Sequence, residues 1–223
     1  MKYGLFLTTA IALCLSSQLV SGQDYDPYSW DPGKGSSSGG GGGSLFGASD
    51  LNYGYIEASY FSFDFSDEAI DAANGFGIEL SVPVVDSLYL TASLLTASPE
   101  DADGNELESD YVSWELGAGI GLPLGNGFDL VLEGGLARRE FTGDFLADPV
   151  DGYGIYLAPG VRWQLNDVLE LNAGLKYYSV DELNDLGFEA KALIHLTPSI
   201  SLQGSAFFGD TENHYGVGAR LSF

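Results

Sequence analysis

The chain has 223 residues, and its 32 acidic residues outnumber its 8 lysines and arginines, which gives a formal net charge of −24. This balance excludes nucleic acid as a partner class, because binding to phosphate backbones depends on Lys and Arg. The single cysteine, Cys14, excludes an intramolecular disulfide.

Residues 1–22 have the features of a secretory signal peptide. Met1-Lys2 provides a positive start, the run from Gly4 to Leu15 is apolar, and Val20-Ser21-Gly22 offers small residues for cleavage. The apolar run is too short for a membrane helix, which needs about 20 residues. We therefore predict an exported protein whose segment 1–22, including Cys14, is removed.

Residues 23–49 are predicted to be a disordered linker. They contain the Gly/Ser-rich stretch from Gly35 to Ser44, which has nothing to bury and resembles a flexible spacer. A single domain, residues 50–223, remains.

Within this domain, apolar side chains recur at every second position, as expected for β-strands with two different faces. Nine uncharged series cover residues 76–84, 88–94, 112–124, 128–136, 153–165, 169–177, 188–196, 200–208 and 215–223. The alternate face carries the ionisable residues Glu57, Glu79, Glu115, Glu133, Arg162, Glu170, Lys176, Glu189, Lys191 and Arg220. A soluble sandwich would alternate in the same way, so the position of the aromatic residues decides between the two classes.

The aromatic residues of the uncharged face gather at the strand ends. One group is Phe76, Trp114, Tyr153, Tyr177, Phe188, Phe208 and Tyr215, and the other is Phe128, Trp163 and Phe223. Two aromatic girdles around an aliphatic band are typical of a lipid-facing wall. Tight turns also alternate with connections predicted to be longer and acidic, at residues 66–74, 98–109, 142–151, 180–186 and 210–213. The sequence therefore predicts an all-β, closed antiparallel transmembrane β-barrel.

A first strand over residues 52–65 brings the predicted number of strands to ten, with eight as the alternative if one hairpin lies outside the membrane. In this strand Glu57 should point inward, which places Phe61, Phe63 and Phe65 on the same inward face. A bulge or an extension above the membrane would reconcile these aromatic residues with the pattern. Pro159 removes a backbone donor in mid-strand, and a local bulge is predicted there as well.

The final strand ends in Phe223, with apolar residues at alternate positions before it. It resembles the C-terminal signal of outer-membrane β-barrel proteins, and residues 50–223 as a whole resemble the small OmpA/OmpX-type barrels of the porin family. The resemblance implies localisation in the outer membrane, contact with its lipids, and recognition by the barrel-assembly machinery of Tyr215, Val217, Ala219, Leu221 and Phe223.

The inward charges allow two interpretations. Glu57, Glu79, Glu133 and Lys191 are predicted to lie at similar depth, with Arg162 and Arg220 slightly nearer the short-turn end. They either form a paired network that fills the interior, since a barrel of about eight strands has room for side chains and little more, or line a narrow cation-favouring path. Inward glycines would widen such a path; they are Gly117, Gly119, Gly121 and Gly135.

Two further sites are weaker candidates. Asp101, Asp103 and Asn105 present oxygen atoms two residues apart, so divalent cations such as calcium are candidate partners of the acidic loops. His214, near Asp210 and Glu212, is the single candidate for acid-base chemistry at the long-loop end.

We predict a non-enzymatic outer-membrane barrel without cofactor or catalytic residues, presenting acidic loops for envelope integrity or surface interaction. A small-solute or cation channel is the alternative, and a barrel hydrolase is third.

Overall fold

The computed structural model describes residues 51–65, 72–85, 87–100, 109–143, 150–181 and 183–223. They form ten strands: β1 (Tyr55–Phe65), β2 (Ala72–Val85), β3 (Leu88–Glu100), β4 (Ser109–Gly125), β5 (Phe128–Gly143), β6 (Val150–Gln164), β7 (Leu169–Val180), β8 (Leu183–His195), β9 (Ile200–Phe208) and β10 (Glu212–Ser222). The predicted signal peptide and linker lie outside the described residues, and their assignment stays a prediction. No helix among the described residues is long and apolar enough to cross a bilayer.

The ten strands close into one antiparallel barrel. Each strand pairs with its neighbours in sequence, and β1 pairs with β10 from Tyr55 opposite Ser222 to Phe65 opposite Glu212. Closure satisfies the backbone groups of every strand, which a sheet in hydrocarbon requires. The predicted closed antiparallel barrel is confirmed, with ten strands rather than eight.

Side chains alternate between an outer wall and a lumen. On β9, Ile200 and Leu202 are 45% and 49% exposed, whereas Ser201 and Gln203 are 1% and 5% exposed. The outer wall carries aromatic contacts near the strand ends, such as Tyr60 with Phe76 and Phe128 with Trp163. The uncharged face therefore lies outside and the polar face lies inside.

The barrel has two different ends. At the end that we call the turn end, strands are joined through residues 86–87, 126–127, 165–168 and 196–199. At the opposite end, the loop end, the connections are residues 66–71, 101–108, 144–149, 181–182 and 209–211.

Two of the predicted long connections are wrong. Residues 180–186 reduce to the pair 181–182, where Asp181 has a φ of 51°, and residues 210–213 reduce to 209–211. The strands continue through these acidic positions because the Arg139 side chain lies in the lumen and can pair with them. Asp185, for example, is 2% exposed and lies 3.8 Å from Arg139. An acidic residue marks a loop only where no buried partner is available.

Neither the bulge that was one alternative for β1 nor the bulge predicted at Pro159 is present. The pairing of β1 with both neighbours runs without a register shift, and Phe63 lies in the lumen on the same face as Glu57. At Pro159, the pairing of β6 with β7 is interrupted between Leu157 and Gly160 and resumes in the same register. The missing N–H of Pro159 removes ladder bonds locally and inserts no residue.

Candidate functional site: the barrel lumen

Glu57 is the centre of the charge network in the lumen. It is 3% exposed and accepts hydrogen bonds from Nε and Nη2 of Arg220, at 2.9 and 2.8 Å. Lys191 Nζ lies 3.1 Å from Glu57 Oε1 and 3.3 Å from Glu79 Oε2, while Gln203 donates to Glu57 at 2.5 Å. Glu57 and its partners therefore link β1, β8, β9 and β10, and Lys191 extends the link to Glu79 on β2.

A second group of buried side chains in the lumen is formed by Glu115, Glu133 and their partners. Glu115 accepts from Lys176 Nζ at 2.9 Å and from the Tyr178 hydroxyl at 2.5 Å. Glu133 accepts from Tyr156 at 2.8 Å and from Thr91 at 3.3 Å, and it forms no ion pair among the described residues. Buried carboxylates are thus satisfied by tyrosine hydroxyls as well as by cations, as buried charges require.

The turn end of the lumen is closed by residues that precede β1. Leu51 and Tyr53 are buried, and the Tyr53 ring stacks on Tyr89 with 4.6 Å between centroids. The Tyr53 hydroxyl donates to Asp129 at 2.7 Å, and the Arg162 guanidinium lies 4.6 Å from the centre of the Tyr53 ring. The predicted first strand over residues 52–65 is therefore too long, because residues 51–54 fold into the mouth of the barrel.

Arg162 and Glu170 form the ion pair nearest to this mouth. Arg162 donates to Glu170 Oε1 through Nε at 3.0 Å and Nη2 at 2.8 Å, and to the Asn52 carbonyl at 3.2 Å. His195 Nε2 lies 3.7 Å from the second oxygen of Glu170. The segment that precedes β1 is thus tied to the wall by the charge network itself.

Inward glycines provide space for tyrosine rings. A Cβ on Gly119 would lie 2.2 Å from the Tyr89 ring, and one on Gly121 would lie 2.1 Å from the Tyr53 hydroxyl. A Cβ on Gly117 would lie 2.1 Å from the Tyr156 hydroxyl. These three glycines therefore do not widen the lumen, as the channel alternative would require, since the rings of Tyr89, Tyr53 and Tyr156 occupy the space.

At the loop end, a third group surrounds Arg139. Its guanidinium lies 3.4 Å from Glu212, 3.8 Å from Asp185 and 4.0 Å from the centre of the Tyr178 ring. Asp185 also accepts from the Asp210 N–H at 2.8 Å and from the Thr211 hydroxyl at 2.7 Å. These bonds hold the short 209–211 connection against the wall.

His214 lies inside an aromatic cluster. Its ring stacks on Phe207 at 5.0 Å and contacts Phe63 at 5.0 Å and Phe61 at 5.4 Å. Nδ1 is 3.8 Å from Glu212 Oε1, which is beyond hydrogen-bond distance. The ring is packed between strands, and the predicted neighbour Asp210 contributes its backbone N–H to Asp185 instead.

Two cavities, of about 170 and about 110 Å³, lie in the lumen. The larger one is near the turn end and the smaller one is near the loop end, and both are lined by the same central layer of Glu79, Ser93, Glu115, Lys176, Glu189 and Lys191. The same charged side chains therefore line both spaces.

The structure places all ten of the ionisable residues singled out in the sequence along the lumen. Lys191 does meet Glu57 and Glu79, as the depth argument expects, whereas Glu133 meets Tyr156 and Thr91. Glu189 forms no ion pair within 4 Å among the described residues, although it lines both cavities. Sequence reasoning missed Arg139 and the inward tyrosines, although the alternation of Arg138 and Arg139 along one strand requires one of them to point inward.

Two groups of candidates remain, the final strand and the acidic loop. Tyr215, Val217, Ala219, Leu221 and Phe223 are exposed on the outer wall. Asp101, Asp103 and Asn105 lie outside the described residues. In the part of the chain that the structure describes, no group of three or more His, Cys, Asp or Glu side chains is arranged to hold a metal ion.

Comparison with known proteins supports the same architecture. The family described as "Outer membrane protein beta-barrel domain" matches residues 43–197. None of the curated proteins matches the chain.

Several solved barrels are similar to this chain at low identity. The N-terminal β-barrel domain of Pseudomonas aeruginosa OprF is 14% identical over 78% of this chain and 100% of that domain, with a TM-score of 0.41. Ail, the attachment invasion locus protein of Yersinia pestis, is 11% identical over 76% and 99%, with a TM-score of 0.39. Outer membrane phospholipase A from Escherichia coli is 12% identical over 76% and 90%, with a TM-score of 0.40.

Proposed function

We propose that this chain, which belongs to the outer membrane protein β-barrel domain family, is a non-enzymatic barrel with a closed lumen. It acts through its loop end, in envelope integrity or surface interaction. The observation that carries the proposal is the central layer of charged side chains that lines both small cavities and contains the pairs of Lys176 with Glu115 and of Lys191 with Glu79. An ion crossing this layer would have to separate buried pairs such as Lys191 with Glu57, which costs several kcal/mol.

The closed lumen leaves the loop end as the working surface. Asp64 and Asp110 are exposed there, and the acidic connections that follow and precede them lie outside the described residues. A negative surface at this end suits contact with cationic groups, and divalent cations at Asp101, Asp103 and Asn105 remain part of the proposal.

A narrow small-solute or cation channel is the second candidate. Five carboxylates but three cations line the smaller cavity, which favours cations over anions on that side of the layer. This candidate requires the central layer to open.

A conductance measurement decides between the two candidates. We expect the refolded protein, residues 23–223, to give no stable discrete openings in planar bilayers, because Lys176 and Lys191 of the central layer are paired with Glu115 and Glu79. Lys191→Met is expected to introduce openings, since it removes the cation shared by Glu57 and Glu79. Sustained cation-selective openings of the unchanged protein would establish the channel and end the closed-lumen proposal.

A barrel hydrolase is the third candidate, and the environment of His214 argues against it. The imidazole contacts Phe61, Phe63 and Phe207, and the nearby carboxylate Glu212 is bonded to Arg139. The carboxylate that would pair with a catalytic imidazole is therefore already engaged by a cation.

The outer wall supplies the remaining partners of the proposal. Outer-membrane lipids contact the exposed aliphatic residues, and we include recognition of the last strand, through Tyr215, Val217, Ala219, Leu221 and Phe223, by the barrel-assembly machinery during biogenesis.

A further inference from the structure

The cations of the barrel are distributed very unevenly between its two faces. Residues 51–223 contain six lysines and arginines, all of them described. Five of them point into the lumen. Arg138 points outward, because it alternates with the buried residues Ala137 and Arg139 and pairs with the exposed Tyr153 on β6. The outer wall of the described chain thus carries one cation.

Arg138 lies where the aliphatic wall ends. The outward row nearer the middle of the barrel is Leu116, Leu136 and Ile155, each more than half exposed. The next row is Trp114, Arg138 and Tyr153, in which the guanidinium lies 5.3 Å from the centre of the Tyr153 ring. Amphipathic rings and snorkelling arginines prefer the head-group level of a bilayer, so this row marks that level.

The row beyond Arg138 is acidic. Asp151 Oδ1 accepts from Arg138 Nε and Nη2, both at 2.9 Å, and Glu140 Oε2 lies 3.0 Å from Nη2. The Asp151 side chain is 53% exposed. Nη1 of Arg138 has no hydrogen-bond partner among the described residues. Two carboxylates therefore orient the guanidinium, and the part of the chain that the structure describes leaves its Nη1 open to a ligand.

The charges of this cluster select the chemistry of that ligand. The two carboxylates repel an anion that arrives alone, and Arg138 repels a cation that arrives alone. A phosphate accompanied by its own cation matches both: the phosphate faces Nη1, and the cation faces Asp151 and Glu140. Phosphorylated lipid head groups with a divalent counter-ion or a built-in ammonium group have this composition.

We propose that Arg138, Asp151 and Glu140, framed by Trp114 and Tyr153, form a binding site on the outer wall for the phosphate and counter-cation of a lipid head group. This proposal rests on the part of the proposed function that places the outer wall of the barrel in lipid. It does not depend on whether the lumen conducts. Failure of the closed-lumen proposal would show in conductance and leave this site intact.

The test is lipid binding to the folded protein in detergent, followed by native mass spectrometry. The probes are phosphatidylglycerol with Mg²⁺, phosphatidylethanolamine with a chelator, and diacylglycerol, which has no phosphate. We expect at least one phospholipid to bind about tenfold more tightly than diacylglycerol, as the loss of a charge-assisted hydrogen bond would predict. Preference for the first probe assigns a divalent counter-ion, and preference for the second assigns an ammonium group.

Three variants make the test specific. Arg138→Gln should reduce phospholipid affinity to that of diacylglycerol, and Asp151→Asn should abolish the dependence on the counter-cation. The control R138Q/Y177R restores an outward cation on β7 without the two carboxylates, and it should not restore binding. Restored binding in that double variant, unchanged binding in R138Q, or equal binding of diacylglycerol would each overturn the proposal. Melting curves in detergent confirm that each variant remains folded.

Discussion

Replacing Glu57 by glutamine is expected to lower the free energy of unfolding by about 3–5 kcal/mol, because it removes one partner from a buried ionic network. Arg220, 4% exposed at its side chain, and Lys191 would both lose the negative charge of Glu57, and the amide nitrogen of the glutamine would face one of these two cations as a donor. Urea titration in phospholipid vesicles, followed by tryptophan fluorescence, measures the loss.

Glu189→Gln is the matched control for this prediction. It removes a carboxylate from the same central layer, but one with no ion pair within 4 Å among the described residues. We expect a loss of about 1 kcal/mol or less. Equal losses in the two variants would show that charge in the lumen, rather than the pairing of Glu57, determines stability.

Tyr53→Ala is expected to lower the free energy of unfolding by a similar amount, about 3–5 kcal/mol, as for other large buried aromatic residues. The substitution removes the stack on Tyr89, the hydrogen bond to Asp129 and the contact with Arg162, and leaves a hole opposite Gly121. The same urea titration applies.

Tyr60→Ala controls for the loss of a tyrosine as such. Tyr60 lies on the outer wall of β1, is 43% exposed and has one ring contact, with Phe76 at 5.2 Å. A loss of about 1 kcal/mol is expected there. If Tyr53→Ala were tolerated as well as Tyr60→Ala, residues 51–54 would not stabilise the mouth of the barrel.

The strands and the direction of their side chains were predictable because each signal is local. A residue such as Leu202 and its neighbour Gln203 must point to opposite sides of a strand, and only one side of a lipid-embedded wall tolerates charge. The first strand also alternates in this way, with the buried Phe63 on its lumen face. Closure into ten strands followed from counting such segments.

The partners across the lumen were less predictable, because they depend on tilt and shear of the closed barrel. Glu133 and Lys191 were expected at one depth, yet Glu133 contacts Tyr156 and Thr91. The short connections after β7 and β9 depended on the buried Arg139, which neutralises Asp185 and Glu212. Residues 51–54 carry no period-two signal that would distinguish a plug from the start of a strand.

Cysteine accessibility at Ser93 tests the closed lumen most directly. Ser93 lines both cavities, and Cys14, the only cysteine of the chain, lies in the predicted signal peptide. In vesicle-embedded protein comprising residues 23–223, a charged, membrane-impermeant thiol reagent should modify Ser93→Cys at least about a hundredfold more slowly than Ser199→Cys in the exposed 196–199 turn, because reaction requires local opening. Modification of both variants at the same rate would contradict the account.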